Sequence, residues 1–334
     1  MHDLLEGAVR INLQLLMKYL TEKKLYSAEK LNKDLASFPY GRIDKKNKPP
    51  TNLFTENSTY KISATHQSII MRFLPVLIGE KLKTDKAFLH FVQLVEIVRS
   101  LNDDEYDDRK INDLTLKIEK YLQEFKIIYP NEHFTPKQHF LIHYPSAIRL
   151  YGPLKFYSTM RFEAKHSYFK HIIQATHNRI NLLKSLAERH QRLQVFHLAS
   201  PNYFMDIEYG SLYSVSKHCL DFLQLNLKTK NFSIYKWIIK KGIKYSLNDL
   251  VVSKKTAVPI FSRIKSIVST GFSIFFQIEE FQTVEYISYM AAFKLKEFES
   301  MEKLISVTDL HSIWPLNFYN LNPHFQIAIP KYPL

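Results

Sequence analysis

A chain of 334 residues and 39.5 kDa is long enough to bury a sizeable core and to form two domains. Hydrophobic residues make up 46%, which excludes a disordered chain. With 46 Lys and Arg against 32 Asp and Glu the net charge is +14, which favours a polyanionic partner, nucleic acid before an anionic membrane surface.

The acidic N-terminus has no basic flank before an apolar core, so it does not resemble a signal peptide, and no run approaches the ~18 apolar residues of a membrane span. Leu4, Ala8, Ile11, Leu15 and Tyr19 form one stripe opposite Glu6, Arg10, Gln14 and Lys18, which predicts a helix with one buried face. Polar sequence from Phe38 to Asn57 predicts a loop. Within it Lys45-Lys46-Asn47-Lys48 is either a nuclear address or an ordinary solvated turn. A helix follows over Ile69 to Ile78, ended or kinked by Pro75. Thr84 is the expected cap of a helix with the stripe Phe88, Val92, Val95 and Val98. The clearest helix runs through Ile111, Leu114, Ile118, Tyr121, Phe125 and Ile128. Before it, the acids of Asp103-Asp104-Glu105-Tyr106-Asp107-Asp108 complement a helix dipole; a cation loop would want a Gly turn, which is lacking.

Thr135-Pro136-Lys137-Gln138 has the form of a capping box with proline at the first helical position. On that helix His139 and His143 share a face, a spacing that serves either as half of a zinc site or as a polar helix face. The next helix should bury Phe162, Phe169, Ile172 and Ile173 and expose Glu163, His166 and Lys170. A carboxylate at Glu163 can hold a divalent cation, with Arg161, Lys165, Lys170 and His171 placed to meet phosphates; by spacing alone, as in most helices, it reads as a surface residue. A following helix, about Asn178 to His197, should bury Leu183, Leu186, Leu193 and Phe196. It sets Arg179, Lys184, Arg189 and Arg192 on a basic side that either tracks a DNA backbone or is simply solvated.

After about Lys230 the period becomes alternating. Ile260, Ser262, Ile264, Ser266 and Val268 oppose Phe261, Arg263, Lys265 and Ile267, and Ser273 to Glu279 alternates in the same way. Lys241-Gly242 predicts a hairpin turn. The single cysteine, Cys219, rules out an internal disulfide, suits a reducing compartment, and beside His218 is not a nucleophile arrangement. Gly-rich phosphate loops, Cys-x-x-Cys pairs and Gly-x-Ser-x-Gly elbows are absent from the sequence. The fold class expected is α+β: an all-helical region over 1–200, a linker over 201–230, and a small antiparallel β-barrel-like module over 231–334.

Five short motifs, in order, resemble CACTA (En/Spm-like) DNA transposases. They are Met1-His2-Asp3-Leu4-Leu5-Glu6-Gly7; Lys137, His139 and His143-Tyr144-Pro145; Tyr151-Gly152-Pro153-Leu154; Met160-Arg161-Phe162-Glu163 with Lys165-His166; and Ala187-Glu188-Arg189-His190-Gln191. The similarity covers roughly Met1 to Leu198, with a weaker match of Trp237 to Tyr289 to the β module found in such elements. It implies an RNase H-like catalytic domain with an Asp-Asp-Glu triad interrupted by an all-helical insertion. Glu163 matches the Glu, Lys165 and Lys170 would steer DNA phosphates, and His139 and His143 match half of a zinc site. The matching aspartates and Cys-x-x-Cys would precede residue one; Asp3 does not occupy the aspartate position. Mg²⁺ and Zn²⁺ are thereby implied for a complete family member, DNA as partner and the nucleus as location. Strand transfer needs two Mg²⁺ ions about 4 Å apart clamped by several carboxylates, so this chain alone is expected to bind DNA without cutting it. The alternative is a non-enzymatic scaffold that takes a protein or peptide on the aromatic β module, around Trp237, Tyr245, Phe261, Phe275, Phe276 and Phe281.

Overall fold

The computed structural model describes residues 2–54, 62–177, 180–200, 207–256, 258–271, 273–297, 302–322 and 325–334. Among the described residues its N-terminal part is built of helices and loops: a wide π-helical turn, Leu4–Val9, runs into α1 (Arg10–Glu22), followed by α2 (Ala28–Ser37), α3 (Ala64–Leu82), α4 (Lys86–Ser100) and α5 (Asp108–Ile128). Then come α6 (Pro136–His139), α7 (Tyr144–Tyr151), α8 (Met160–Thr176) and α9 (Leu182–Ala199). Among the described residues no strand precedes Ile207.

Helices α3 and α4 are central, and their sequences are correspondingly apolar almost all round. The one-sided stripes of α1 and α5 pack against them through Leu13, Leu16, Leu74, Phe88, Phe91, Ile118 and Phe125. Pro75 does not end α3; it is buried within a helix that continues to Leu82, where packing on both sides holds the turn whose hydrogen bond the proline removes. The cap of α4 is Asp85 and not Thr84: its carboxylate accepts from the Phe88 amide at 2.8 Å. The capping box at Thr135 and Gln138 forms as expected.

The C-terminal part is an antiparallel sheet curled into a half-barrel. Its strands are β1 (Ile207–Tyr209), β2 (Ser233–Tyr235), β3 (Trp237–Lys240), β4 (Ile243–Ser246), β5 (Leu250–Lys255), β6 (Pro259–Ser269), β7 (Ile274–Ile287), β8 (Ala292–Glu297), β9 (Lys303–Ser306), β10 (Ser312–Leu316), β11 (Phe318–Asn322) and β12 (Phe325–Ala328). The main sheet has the order β10-β5-β6-β7-β8-β12-β11, with β2 on β6 and β9 on β7; β1, β3 and β4 form a small second sheet. The edge strands β10 and β11 are consecutive in the chain, which requires the sheet to curl until its ends approach. Bulges at Ile264/Ser266 and Thr283/Glu285 supply the bend. They also break the alternation read from the sequence, because Ile264 and Ile267, an odd number of residues apart, enter the same core. Lys241 and Gly242, both at positive φ, close the β3–β4 hairpin.

From Ile207 on, the segment expected to be a linker is structured: β1 pairs with β3, and helix α10 (Lys217–Leu227) buries Leu223 against Ile234 and Val268. The helical and β parts share one core, in which Phe38, Ile69 and Phe73 meet Ile287, Met290, Tyr319 and Ile327. Beside it lies a buried polar cluster. Asp44 accepts from Arg72 of α3 at 2.5 Å, from Asn317 at 3.0 Å and from the Tyr319 hydroxyl at 3.2 Å. Arg42 is ion-paired with Asp249 across the same seam.

Candidate nucleic-acid interface

Three of the five sequence motifs converge at the start of the chain. In the π turn the Ala8 amide donates five residues back to the Asp3 carbonyl at 2.9 Å. Gly7 lies against α6; a Cβ there would stand 2.7 Å from the Lys137 Cβ, so only glycine allows this approach. Lys137 Nζ donates to the His2 carbonyl at 3.4 Å. On its other side the His2 imidazole spans two carboxylates, Nδ1 at 2.6 Å from Glu6 and Nε2 at 2.7 Å from Glu163 Oε1, which also accepts from the Thr159 hydroxyl at 3.3 Å. A ring facing a carboxylate at each nitrogen is held as the doubly protonated donor. The hydrogen bonds to Glu6 and then Glu163 accordingly raise its pKa above the ordinary histidine value.

His139 and His143 are exposed on one face of the α6 turn and its continuation, with their Nε2 atoms 3.3 Å apart. Two imidazoles at Zn–N distances near 2.05 Å and a tetrahedral angle stand about 3.3 Å apart, so the pair fits two corners of a zinc site. Cys219 does not complete it: its thiol hydrogen-bonds Gln277 in the β part at 3.0 Å, and burial raises its pKa. Among the described residues no group of three or more His, Cys, Asp or Glu side chains is arranged to hold a metal ion. Glu6 and Glu163 do not fit Mg²⁺ as placed. The imidazole between them holds the two contacting oxygens on opposite edges of a ring, farther apart than the about 4 Å between trans ligands of one such ion.

Helices α8 and α9 form a hairpin that departs from the expected burial. Phe162 is 70% exposed, Leu183 82% and Phe196 68%, and α9 has no buried residue. Only a half-buried seam of Phe169, Ile172, Ile173, Leu186 and Leu193 remains. Periodicity correctly located the apolar stripes, but nothing in the described residues covers them. Lys170, Lys184, Arg189 and Arg192 are exposed as expected; Lys184 makes a 3.9 Å pair with Glu188. Lys165 is half-buried, its ammonium 4.3 Å above the Tyr168 ring. Arg179 and the Arg161 side chain lie outside the described residues.

The acidic run at 103–108 serves local structure. Asp103 accepts from the Asp104 and Glu105 amides and pairs with Lys110, and Asp107 caps α5. Residue spacing singles out Glu163 but not His2 as its partner; the Met1–Gly7 motif is the signal in the sequence that points to that end of the chain. No family model, curated protein or solved structure matches this chain. No helix among the described residues is long and apolar enough to cross a membrane.

Proposed function

We propose that this chain is the helical insertion and Glu-bearing part of a CACTA-like transposase with its β module, acting in the nucleus as a DNA-binding unit that does not cut DNA by itself. The observation that carries the reading is the His2–Glu163 contact: the two motifs on which the resemblance chiefly rests, 161 residues apart, meet side chain to side chain.

On this reading Glu163 is held by His2 and Thr159, and the exposed cations of the α8–α9 hairpin, Lys170, Lys184, Arg189 and Arg192, follow a phosphate backbone. His139 and His143 would hold two positions of a structural Zn²⁺, which when bound ties together the segments that ligate it. The arrangement of Glu6 and Glu163 supports binding without cleavage, because a two-metal clamp needs carboxylates that converge. A peptide-binding role for the β module has less support, since Tyr245, Phe261, Phe276 and Phe281 are buried in its core.

The test is fluorescence anisotropy with a labelled duplex across a salt series. If the four exposed cations each neutralise one phosphate, log K should fall against log salt with a slope of about −3 to −4, at roughly −0.9 per phosphate. Charge reversal at Lys170, Lys184, Arg189 and Arg192 should flatten it. Absence of binding at low salt, or affinity indifferent to salt, would sink the proposal.

A further inference from the structure

Between the helical part and the half-barrel lies a cleft of about 730 Å³, within the roughly 300–1,000 Å³ range of sites that enclose a small ligand. It shares Arg72, Trp314, Lys331 and Tyr332 with an adjoining hollow of about 310 Å³, so the two form one groove. Leu5, Ser158 and Phe162 line one end, which places that end beside Glu6, Thr159 and Glu163.

Two properties of the lining select the ligand. First, charge: the groove side chains include seven cations and two carboxylates. Four of those cations, Arg42, Arg72, Arg99 and Lys155, are ion-paired. Lys46 and Lys331 have no carboxylate in ion-pair contact among the described residues and leave a positive rim, while the Lys244 ammonium lies 4.1 Å from the centroid of the Trp237 ring. Second, aromatic faces: Trp314 and Tyr332 stand 4.5 Å apart at 31°, and Phe156 is 69% exposed at the wall. The Trp314 indole N–H donates to Asp104 at 3.1 Å, which fixes the ring at its edge, and one of its faces rests against Tyr332. Lys155 Nζ sits 5.4 to 5.6 Å from the ring centroids of Phe156, Trp314 and Tyr332. Inside the groove the buried Ser158 hydroxyl has no hydrogen-bond partner.

An anionic ligand that presents flat aromatic groups and hydrogen-bonding edges meets all of these at once. A duplex does not, because its bases are stacked on one another and are not offered to an aromatic side chain. We infer that the groove binds a short unpaired segment of single-stranded DNA, with a base stacked on the Trp314–Tyr332 platform and its phosphates at Lys46 and Lys331. This rests on the DNA-binding reading above and names the form of DNA taken at this place.

The experiment compares the full chain with Trp314→Ala and Phe156→Ala, using labelled oligo-dT and a mixed-sequence duplex. Phe156 is exposed, so its loss should leave folding intact, as circular dichroism would verify. Base stacking on an aromatic side chain predicts a loss of about 5- to 150-fold in single-strand affinity for Trp314→Ala, and a smaller loss for Phe156→Ala, with duplex affinity held. Unchanged single-strand affinity in both variants, with duplex still bound, would overturn the groove and leave the DNA-binding reading standing. Equal losses for both DNA forms would also overturn it, showing an unspecific electrostatic track. Binding of neither form would overturn both.

Discussion

His2 is the residue whose chemistry reports most directly on the motif junction. Its pKa is raised by the carboxylates of Glu6 and Glu163, so the two contacts are fully formed below the ordinary histidine value near 6.5 and are lost as pH rises through the higher folded value. Histidine-resolved NMR should show one imidazole titrating above 6.5, with its midpoint shifted down in Glu163→Gln and further in Glu6→Gln. A His2 that titrates normally in the unmodified chain would mean that the junction does not form in solution. The pair His139 and His143 makes a second statement at this scale. With two imidazoles and water in the remaining positions, zinc should bind weakly and add little to stability. Competition against a chromogenic chelator checks this, and His139→Ala should abolish what binding there is. Tight stoichiometric zinc would mean that further ligands complete the site.

At the scale of elements, the contrast is between α4 and the α8–α9 hairpin. Helix α4 buries ten of its fifteen residues, whereas α9 buries none and α8 rests on a half-buried seam. Amides in a helix without buried contacts open locally at little free-energy cost, while those of the core exchange only on global unfolding. Hydrogen exchange followed by mass spectrometry should therefore show α8 and α9 exchanging orders of magnitude faster than α3 to α5 in the isolated chain. Equal protection would show that the hairpin is covered. The same contrast explains what the sequence could reveal. The Thr135 capping box, the Lys241-Gly242 turn and the stripe of α5 depend on local spacing, and each was legible. Burial of Phe162, Leu183 and Phe196 was inferred from stripes that do exist, but a stripe does not say whether anything packs on it. The alternation in β6 failed at a bulge, which leaves no mark in residue spacing. The groove at Trp314 was illegible for a different reason: its walls come from segments near 44, 72, 104, 156 and 332 that only the tertiary fold brings together.

At the scale of the whole molecule, the helical and β parts behave as one unit if the Asp44 cluster is as central as its burial suggests. The Asp44 and Arg72 side chains are 8% and 7% exposed, and the carboxylate joins the loop before α3 to Asn317 and Tyr319 of the half-barrel. Tyr319 in turn packs its ring 5.4 Å from Phe38 and 5.5 Å from Phe73, so the polar and aromatic parts of the seam support each other. Removing one partner of a buried pair leaves the other charge unpaired in a low-dielectric site, which costs about 3–5 kcal/mol. Replacing both by apolar groups of similar shape costs far less. Asp44→Ala should therefore destabilise strongly, and Asp44→Ala with Arg72→Met should recover much of the loss. Urea unfolding followed both by helical circular dichroism and by the fluorescence of Trp237 in the β part, read in a Trp314→Phe background because Trp314 is bonded to Asp104 of the helical part, decides whether the seam couples the two. Both probes should move together to lower urea in Asp44→Ala and return together in the double variant. A fluorescence transition that stays in place while the helical signal shifts would mean that the half-barrel folds on its own and that the groove between the parts is not held in a fixed shape.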